Sequence, residues 1–434
     1  ASFSHLKNRV ATNGGIKADS TDDILTLFDF ELEEANLTID GKIIERRHNF
    51  HLLHQYQLTE GKGVQLFHQF ETHSQVNRYS DFNVGANIDY YTSKNYFVTD
   101  TIFSANDTLP FASSMTRDEF IFKQYRNKVG IKGSVKGLYY QLYARNSLSK
   151  YTNKNFYSEY ESPVFSEQFI GGAVLLDPVK DLRFIGKAEL GLGRDYLLNP
   201  ELQFKKAKVG LKLLNYSPTL LQNRYESLHF SWNNDFRNTN LQELYANTSI
   251  QVGKIELTPS ISISNLQRYI YFNQNATPDQ AGNDFTIIKP SLGYKLALGA
   301  LNIDGFVNYT KLTDDSYLRV PEFLFQQSTY LEGRIFSRAL HFQFGLDLKR
   351  SSSYFANDFN PITQQFYLQD SFKVPSYWLG DLFFNFKVKS TTVFFRLHNV
   401  LAGRVGNDAG YFTTPFYTGL PGSFDFGVKW PFFD

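Results

Sequence analysis

The sequence predicts an all-β protein: a transmembrane, antiparallel up-and-down β-barrel of about 18 strands, with about 16 the neighbouring count. Three observations carry this. Apolar and polar residues alternate with a period of two along most of the 434 residues, which places them on opposite faces of strands. The links between alternating runs are of two kinds, short and long. No run reaches the roughly 18 apolar residues of a membrane helix, and no stretch carries a 3.6-residue stripe.

Taken in order, Ile24–Leu32 is the first alternating run, leaving 1–23 as an N-terminal periplasmic segment and 24–434 as the barrel. Short polar or Gly-containing links near Thr59–Gly63, Lys132–Lys136, Val179–Asp181, Ser217–Gln222, Val252–Lys254, Leu298–Ala300, Ser337–Arg338 and Val388–Thr391 define eight hairpins. The run Ser423–Phe433 completes an even count, with both termini on the short-turn side, as a single-chain barrel requires. Long links rich in Asn, Asp, Ser, Thr and Pro span roughly Gln75–Thr116, Ser147–Phe165, Ile270–Asn283, Ser351–Pro375 and Ala402–Gly422. Short turns are expected on the periplasmic side and long loops outside. The first long link could fold inward to narrow a pore or stay outside as a cap.

Composition removes other classes. Cysteine is absent and the net charge is +1, which excludes disulfide scaffolds, Cys-ligated metals and thiol nucleophiles and any global case for nucleic acid. Aromatics reach 17%, with 42 Phe and 27 Tyr. The chain opens on Ala1 and its one methionine is Met115, as expected where a signal peptide has been removed; an artificially trimmed start would look the same.

The two faces of the strands read differently. Phe50, Leu52, Tyr56, Leu138, Leu142, Phe184, Leu190, Leu228, Phe230, Trp232, Leu292, Phe344, Phe384 and Phe426 fall on the apolar face, which must meet lipid because hydrocarbon cannot satisfy polar groups. The other face supplies the pore-lining candidates. Arg126, Lys128, Arg183, Lys187, Lys206 and Lys208 form a basic arc; Asp235, Glu256, Asp304, Glu332 and Asp347 form a more acidic one. Facing walls of opposite charge would set a field across the lumen. The blander alternative is that these charges pair along the wall and keep it wet.

Catalytic chemistry has little support. His229-Phe230-Ser231, with Asn233, is similar to the His-x-Ser element of outer-membrane phospholipases. Residues i and i+2 of one strand lie too far apart for a nucleophile–base bond, and alternation places the trio in the lumen. His48, His51, His54, His68 and His73 cluster on the first hairpin with mixed parity, against one shared metal. Asn275, Asp279, Asn283 and Asp284 lack EF-hand spacing. The expectation is no enzyme, no cofactor, no metal and no nucleic-acid partner.

The last ~80 residues carry a resemblance. The run FYLQDSFKVPSYWLGDLFFNFKVKSTTVFFRLHNVLAG, followed by GYFTTPFYTGLPGSFDFGVKWPFFD, resembles the end of the outer-membrane porin family of Bacteroidota. Asp381, Phe384, Asn385, Arg396, Asn399, Tyr411, Thr414, Pro415, Tyr417, Gly422, Phe426, Gly427 and Trp430 are the matching positions. The resemblance implies insertion in the Gram-negative outer membrane and a pore; it carries no functional site. Family members are longer before the first strands, so Ala1–Asp23 reads as a shortened or incompletely represented start. A similar closing style occurs in TonB-dependent transporters, whose roughly 22 strands and plugged lumen exceed the present length. Trp430, Phe432 and Phe433 resemble the terminal signal read by the barrel-assembly machinery. The function expected is therefore a porin-like channel for passive diffusion of small hydrophilic solutes. The alternative is a plugged structural or accessory barrel in a larger outer-membrane complex for transport, secretion or barrel assembly. Its partners would be outer-membrane lipid and lipopolysaccharide, the assembly machinery and other outer-membrane proteins.

Overall fold

The computed structural model of the chain describes residues 1–12, 14–15, 35–37, 41–58, 63–94, 115–156, 158–402, 412–419 and 422–430. Among these, one antiparallel sheet of 21 strands dominates. Glu159–Glu161, Ile250–Val252 and Lys311–Leu312 are short pieces that continue longer neighbours. The remaining strands are β1 Ser2–Ala11, β2 Lys42–Gln57, β3 Gln65–Asp81, β4 Thr116–Val135, β5 Leu138–Lys154, β6 Phe165–Val179, β7 Leu182–Gly191, β8 Tyr196–Phe204, β9 Ala207–Tyr216, β10 Thr239–Asn247, β11 Ile255–Gln267, β12 Phe285–Leu298, β13 Leu301–Tyr309, β14 Phe323–Ile335, β15 Leu340–Ser351, β16 Trp378–Val388, β17 Thr391–His398 and β18 Ser423–Lys429. Each pairs with its neighbour in sequence, a meander without crossovers.

The links sort by end. Two-residue turns sit at one end, at 136–137, 180–181, 205–206, 253–254, 299–300 and 389–390. Lys136 and Gly137 both have positive φ, 43° and 84°, the geometry that matches strand twist in a hairpin. The other end carries the long links, plus one short link at 192–195.

Three expectations are corrected. Ser217–Gln222 is not a short turn: it opens the long link 217–238, which holds α1 Leu220–Asn223 and the small hairpin Arg224–Glu226/Ser231–Asn233. The tight turn of that region is Lys205-Lys206, without the Gly, Asn or Pro that marks a turn in sequence. β1 starts at Ser2 and pairs residue by residue with Lys42–His51; Phe3, Leu6 and Val10 break parity, so its alternation is illegible. Ile24–Leu32 and Phe432 lie outside the described residues. Finally, β3 runs to Asp81 and β5 to Lys154, so Gln75–Asp81 and Ser147–Lys154 are strand rather than loop.

Cross-strand register resolves two continuous faces. Leu142 pairs with Ile131 and Gly172, Leu202 with Phe184 and Val209, and Phe384 with Phe344 and Phe395. All belong to one apolar face. It is exposed: Leu142 is 57%, Ile170 66% and Phe426 59% accessible. A contiguous apolar surface of this extent is a membrane-facing feature, not a property of a soluble monomer. The opposite face is polar and lies beneath the long links.

Those links hold the main buried cluster. Tyr79 of β3 packs with Leu37, Tyr90, Tyr91, Tyr225, Phe230, Trp232, Phe272, Ile362 and Tyr367. Phe230 and Trp232, expected on the lipid face, are buried here instead, and Leu228 is half-buried in the same link. Their alternation is real, but their strand pairs only within its own link. Links from the two ends of the strand order also meet. A Cβ built on Gly15, after β1, would lie 3.1 Å from Phe416 Cβ, before β18. Lys94 Nζ, after β3, donates to Asp358 Oδ2, after β15, at 2.8 Å.

Candidate functional site

The polar face is the candidate site, and register decides which side chains reach it. Even positions of β4 place Arg126 and Lys128 there, beside Glu71 and Gln69 of β3. Odd positions of β5 and β7 add Tyr143, Arg145, Arg183, Lys187 and Glu189. Lys208 of β9 lies opposite Gln203 and Asn247, and Lys206 lies in the turn that precedes β9. On the far arc, Glu256 and Asp304 each stand opposite Lys295, and Glu332 and Asp347 follow on β14 and β15. Nine of the eleven pore-lining candidates therefore share one face, and Lys206 lies in the tight turn at its end. Asp235 does not: it is exposed in the link 217–238 and on no strand. The reason is the misplaced turn at 217–222.

Many of these charges have partners. Arg126 donates to Glu71 at 3.1 Å. Arg145 forms a two-pronged pair with Glu189, one contact at 3.3 Å, and its guanidinium lies 3.8 Å from the Phe169 ring centroid. Lys128 Nζ sits 3.6 Å from the Tyr143 ring centroid. Arg183 is paired with Asp177 at 2.7 Å near the turn. Glu332 contacts His341 at 2.7 Å. Arg396 bonds Asp347 and reaches Asp381 at 3.4 Å. His398 lies between Asp381 at 3.1 Å and Asp425 at 2.8 Å. The more acidic arc is thus largely compensated.

A recurrent device orders this wall. Tyr143 of β5 lies across Gly171 of β6 and donates to Glu189 of β7 at 2.7 Å. Tyr245 of β10 lies across Gly210 of β9 and donates to Glu201 of β8 at 2.9 Å. In each case the missing Cβ makes room for the ring, so a hydroxyl spans two strand spacings. Sequence reading missed both. Tyr143 and Glu189 are far apart in the chain, and only register shows the glycine between them.

The mouth at the long-link end is built from aromatic rings and buried carboxylates, Asp81, Asp118 and Asp358 among them. After β3 the chain folds inward through α2 Ile88–Ser93. Asp81 accepts from Asn83 N at 2.8 Å, Asn87 Nδ2 at 2.7 Å and Tyr91 Oη at 2.7 Å. Burial pushes the Tyr91 hydroxyl far above its ordinary pKa, with the nearby Tyr79 and Asp81 adding to the shift, so it stays a protonated donor. Of the two alternatives for this link, the described part, 82–94, folds inward. His229 contacts Thr116 Oγ1 at 2.8 Å and stacks on Tyr91, centroids 5.0 Å apart. It belongs to this buried mouth rather than to the lumen wall where alternation placed it. The five histidines of the first hairpin divide between faces, with His48, His54 and His68 on one and His51 and His73 on the other.

A family model described as "Putative porin" matches residues 1–434. No curated protein matches in sequence. Among solved structures, the copper transporter OprC superposes with a TM-score of 0.64 at 10% identity, over 90% of this chain and 66% of that one. The FrpB iron transporter from Neisseria meningitidis (F5-1 variant) gives 0.61 at 10%, over 98% and 69%. The ferric preacinetobactin receptor BauA from Acinetobacter baumannii gives 0.52 at 13%, over 89% and 63%. The chain spans about two thirds of these structures' lengths or less in two of the three. At such identities the likeness is one of fold.

Proposed function

The chain belongs to that porin family and to the Gram-negative outer membrane, and from this premise we propose a channel for passive diffusion of small hydrophilic solutes. The sheet closes on itself, its eighteen long strands forming a transmembrane barrel with the polar face inward. Contact between the links after β1 and before β18, at Gly15 and Phe416, supports closure. A barrel of sixteen to eighteen strands leaves an aqueous lumen. The observation that carries the reading is the pair of continuous faces: exposed apolar residues toward lipid, charged side chains toward the interior. Nothing in the lining is assigned a bond-breaking role; solutes cross without being turned over. Outer-membrane lipid and lipopolysaccharide would cover the apolar face, and the assembly machinery would insert it.

The test is planar-bilayer recording of the purified, refolded chain. Discrete steps of nanosiemens scale are expected. A verified barrel that passes no current would overturn the channel reading. The aromatic mouth around Tyr79 and Tyr91 favours one second reading, an accessory barrel closed by its own links. That reading predicts silence together with a fixed co-purifying partner.

A further inference from the structure

We infer that the solutes are anions and that they follow a track of lysines: Lys187 on β7, Lys208 on β9 and Lys206 in the turn that joins β8 to β9. This rests on the polar face being the lumen. Compensation along the wall is uneven. On β4–β6, Arg126 is held by Glu71 and Arg145 by Glu189, while Lys128 lies over Tyr143. On β11–β18, Glu256 and Asp304 flank Lys295, Glu332 contacts His341, and Asp347 and Asp381 share Arg396. Between these arcs stand Lys187, Lys206 and Lys208. Among the described residues, none of the three has a carboxylate oxygen within 4.0 Å. Their cross-strand neighbours are amides: Asn199 opposite Lys187, and Gln203 and Asn247 opposite Lys208. Glu201 stands among them, accepting from Gln203 Nε2 at 2.5 Å and Tyr245 Oη at 2.9 Å; its single charge offsets one of the three lysines and leaves the group net positive. Lys212, level with Asn199, faces Glu243 and is left out of the track.

The difference is one of range. A paired base presents a dipole, whose field dies within a few ångströms. An unpaired ammonium presents a monopole, screened only over about 8–10 Å at physiological salt. Lys206 and Lys208 are one pleat apart, about 6–7 Å, and the row of Lys187 lies about 13 Å beyond Lys208 along the strands. Two strand spacings add about 10 Å sideways, so Lys187 lies roughly 16 Å from Lys208 and an anion midway between them is about one screening length from each. This stretch therefore adds net positive charge to the lumen, where the pairs at Arg126, Arg145 and Arg396 add only dipoles.

The experiment compares the unmodified chain with Lys187→Gln/Lys206→Gln/Lys208→Gln and with a control that removes one ion pair of the wall, Glu71→Gln/Arg126→Gln. Reversal potential is read under a KCl gradient. Binding of a trisulfonated pyrene dye to the detergent-solubilised barrel is read by fluorescence anisotropy. The expected result is chloride preference in the unmodified chain, loss of at least about half of that preference in the triple variant, and little change in the control. Dye affinity should fall about tenfold or more in the triple variant. Cation preference in the unmodified chain, or equal preference in all three, overturns the inference. A silent bilayer with lysine-dependent dye binding overturns the open channel and keeps the lysines as an anion site. Silence with no dye binding overturns both.

Discussion

Gly171 and Tyr143 show what a single position contributes to the wall. A Cβ at Gly171 would fall within the van der Waals surface of the Tyr143 ring. Gly171→Ala should therefore lift the ring, part Tyr143 Oη from Glu189 and loosen the stack that carries Lys128. Overpacking of this kind costs about 1–3 kcal/mol, to be read as a lower urea midpoint for unfolding from detergent or lipid. Tyr143→Phe removes the hydroxyl but keeps the ring over Gly171. Its smaller cost, about 1 kcal/mol, separates the bond from the packing. If the two variants unfold alike, the straddling geometry is unimportant. None of this was legible in the sequence, because Tyr143, Gly171 and Glu189 meet only through the register of three strands.

At the scale of an element, the inward segment 82–94 hangs on Asp81. The carboxylate gathers three donors across ten residues, and the short α2 has no side-chain cap of its own. Asp81→Ala should cost the docked segment about 2 kcal/mol or more, a rise of roughly thirtyfold in its undocked population. Faster proteolytic cleavage within 82–94 and larger conductance steps are the expected readouts; unchanged cleavage would show that the aromatic contacts of Tyr90 and Tyr91 suffice. The link 217–238 teaches the complementary lesson. Leu228, Phe230 and Trp232 alternate as cleanly as any strand of the wall, yet Phe230 and Trp232 belong to the buried cluster of Tyr79 and Phe272 in the mouth. Alternation reports that one side of an extended segment is covered. It does not report by what.

For the whole molecule, closure is the property with the greatest consequence. The chain lacks cysteine, so one cysteine placed on β1 and one on β18 give a background-free test. At least one pair in a scan of Ser2–Ala11 against Ser423–Lys429 should form a disulfide in the refolded protein, seen as a gel shift that reductant reverses. If no pair links while an in-register control, Leu6→Cys with Arg47→Cys across β1 and β2, does so, the strands do not close as an eighteen-strand barrel. The charge pattern belongs to this scale too. The nine candidates on the polar face were legible because parity alone assigns a face. Their compensation was not, because Asp347 finds its base two strands away on Arg396.

By itself the sequence determined the architecture class. Period-two alternation, unequal links, absent cysteine and the aromatic closing strands admit little besides an antiparallel membrane sheet, since each is a local property that the chain carries before it folds. The family followed from the closing motif for the same reason. The tertiary structure decided which links are turns, which alternating segment joins the wall, and which charges are spent on partners. Those are properties of register and of contacts between distant segments, and a side chain's field depends on the group beside it in space, not on its neighbour in the chain.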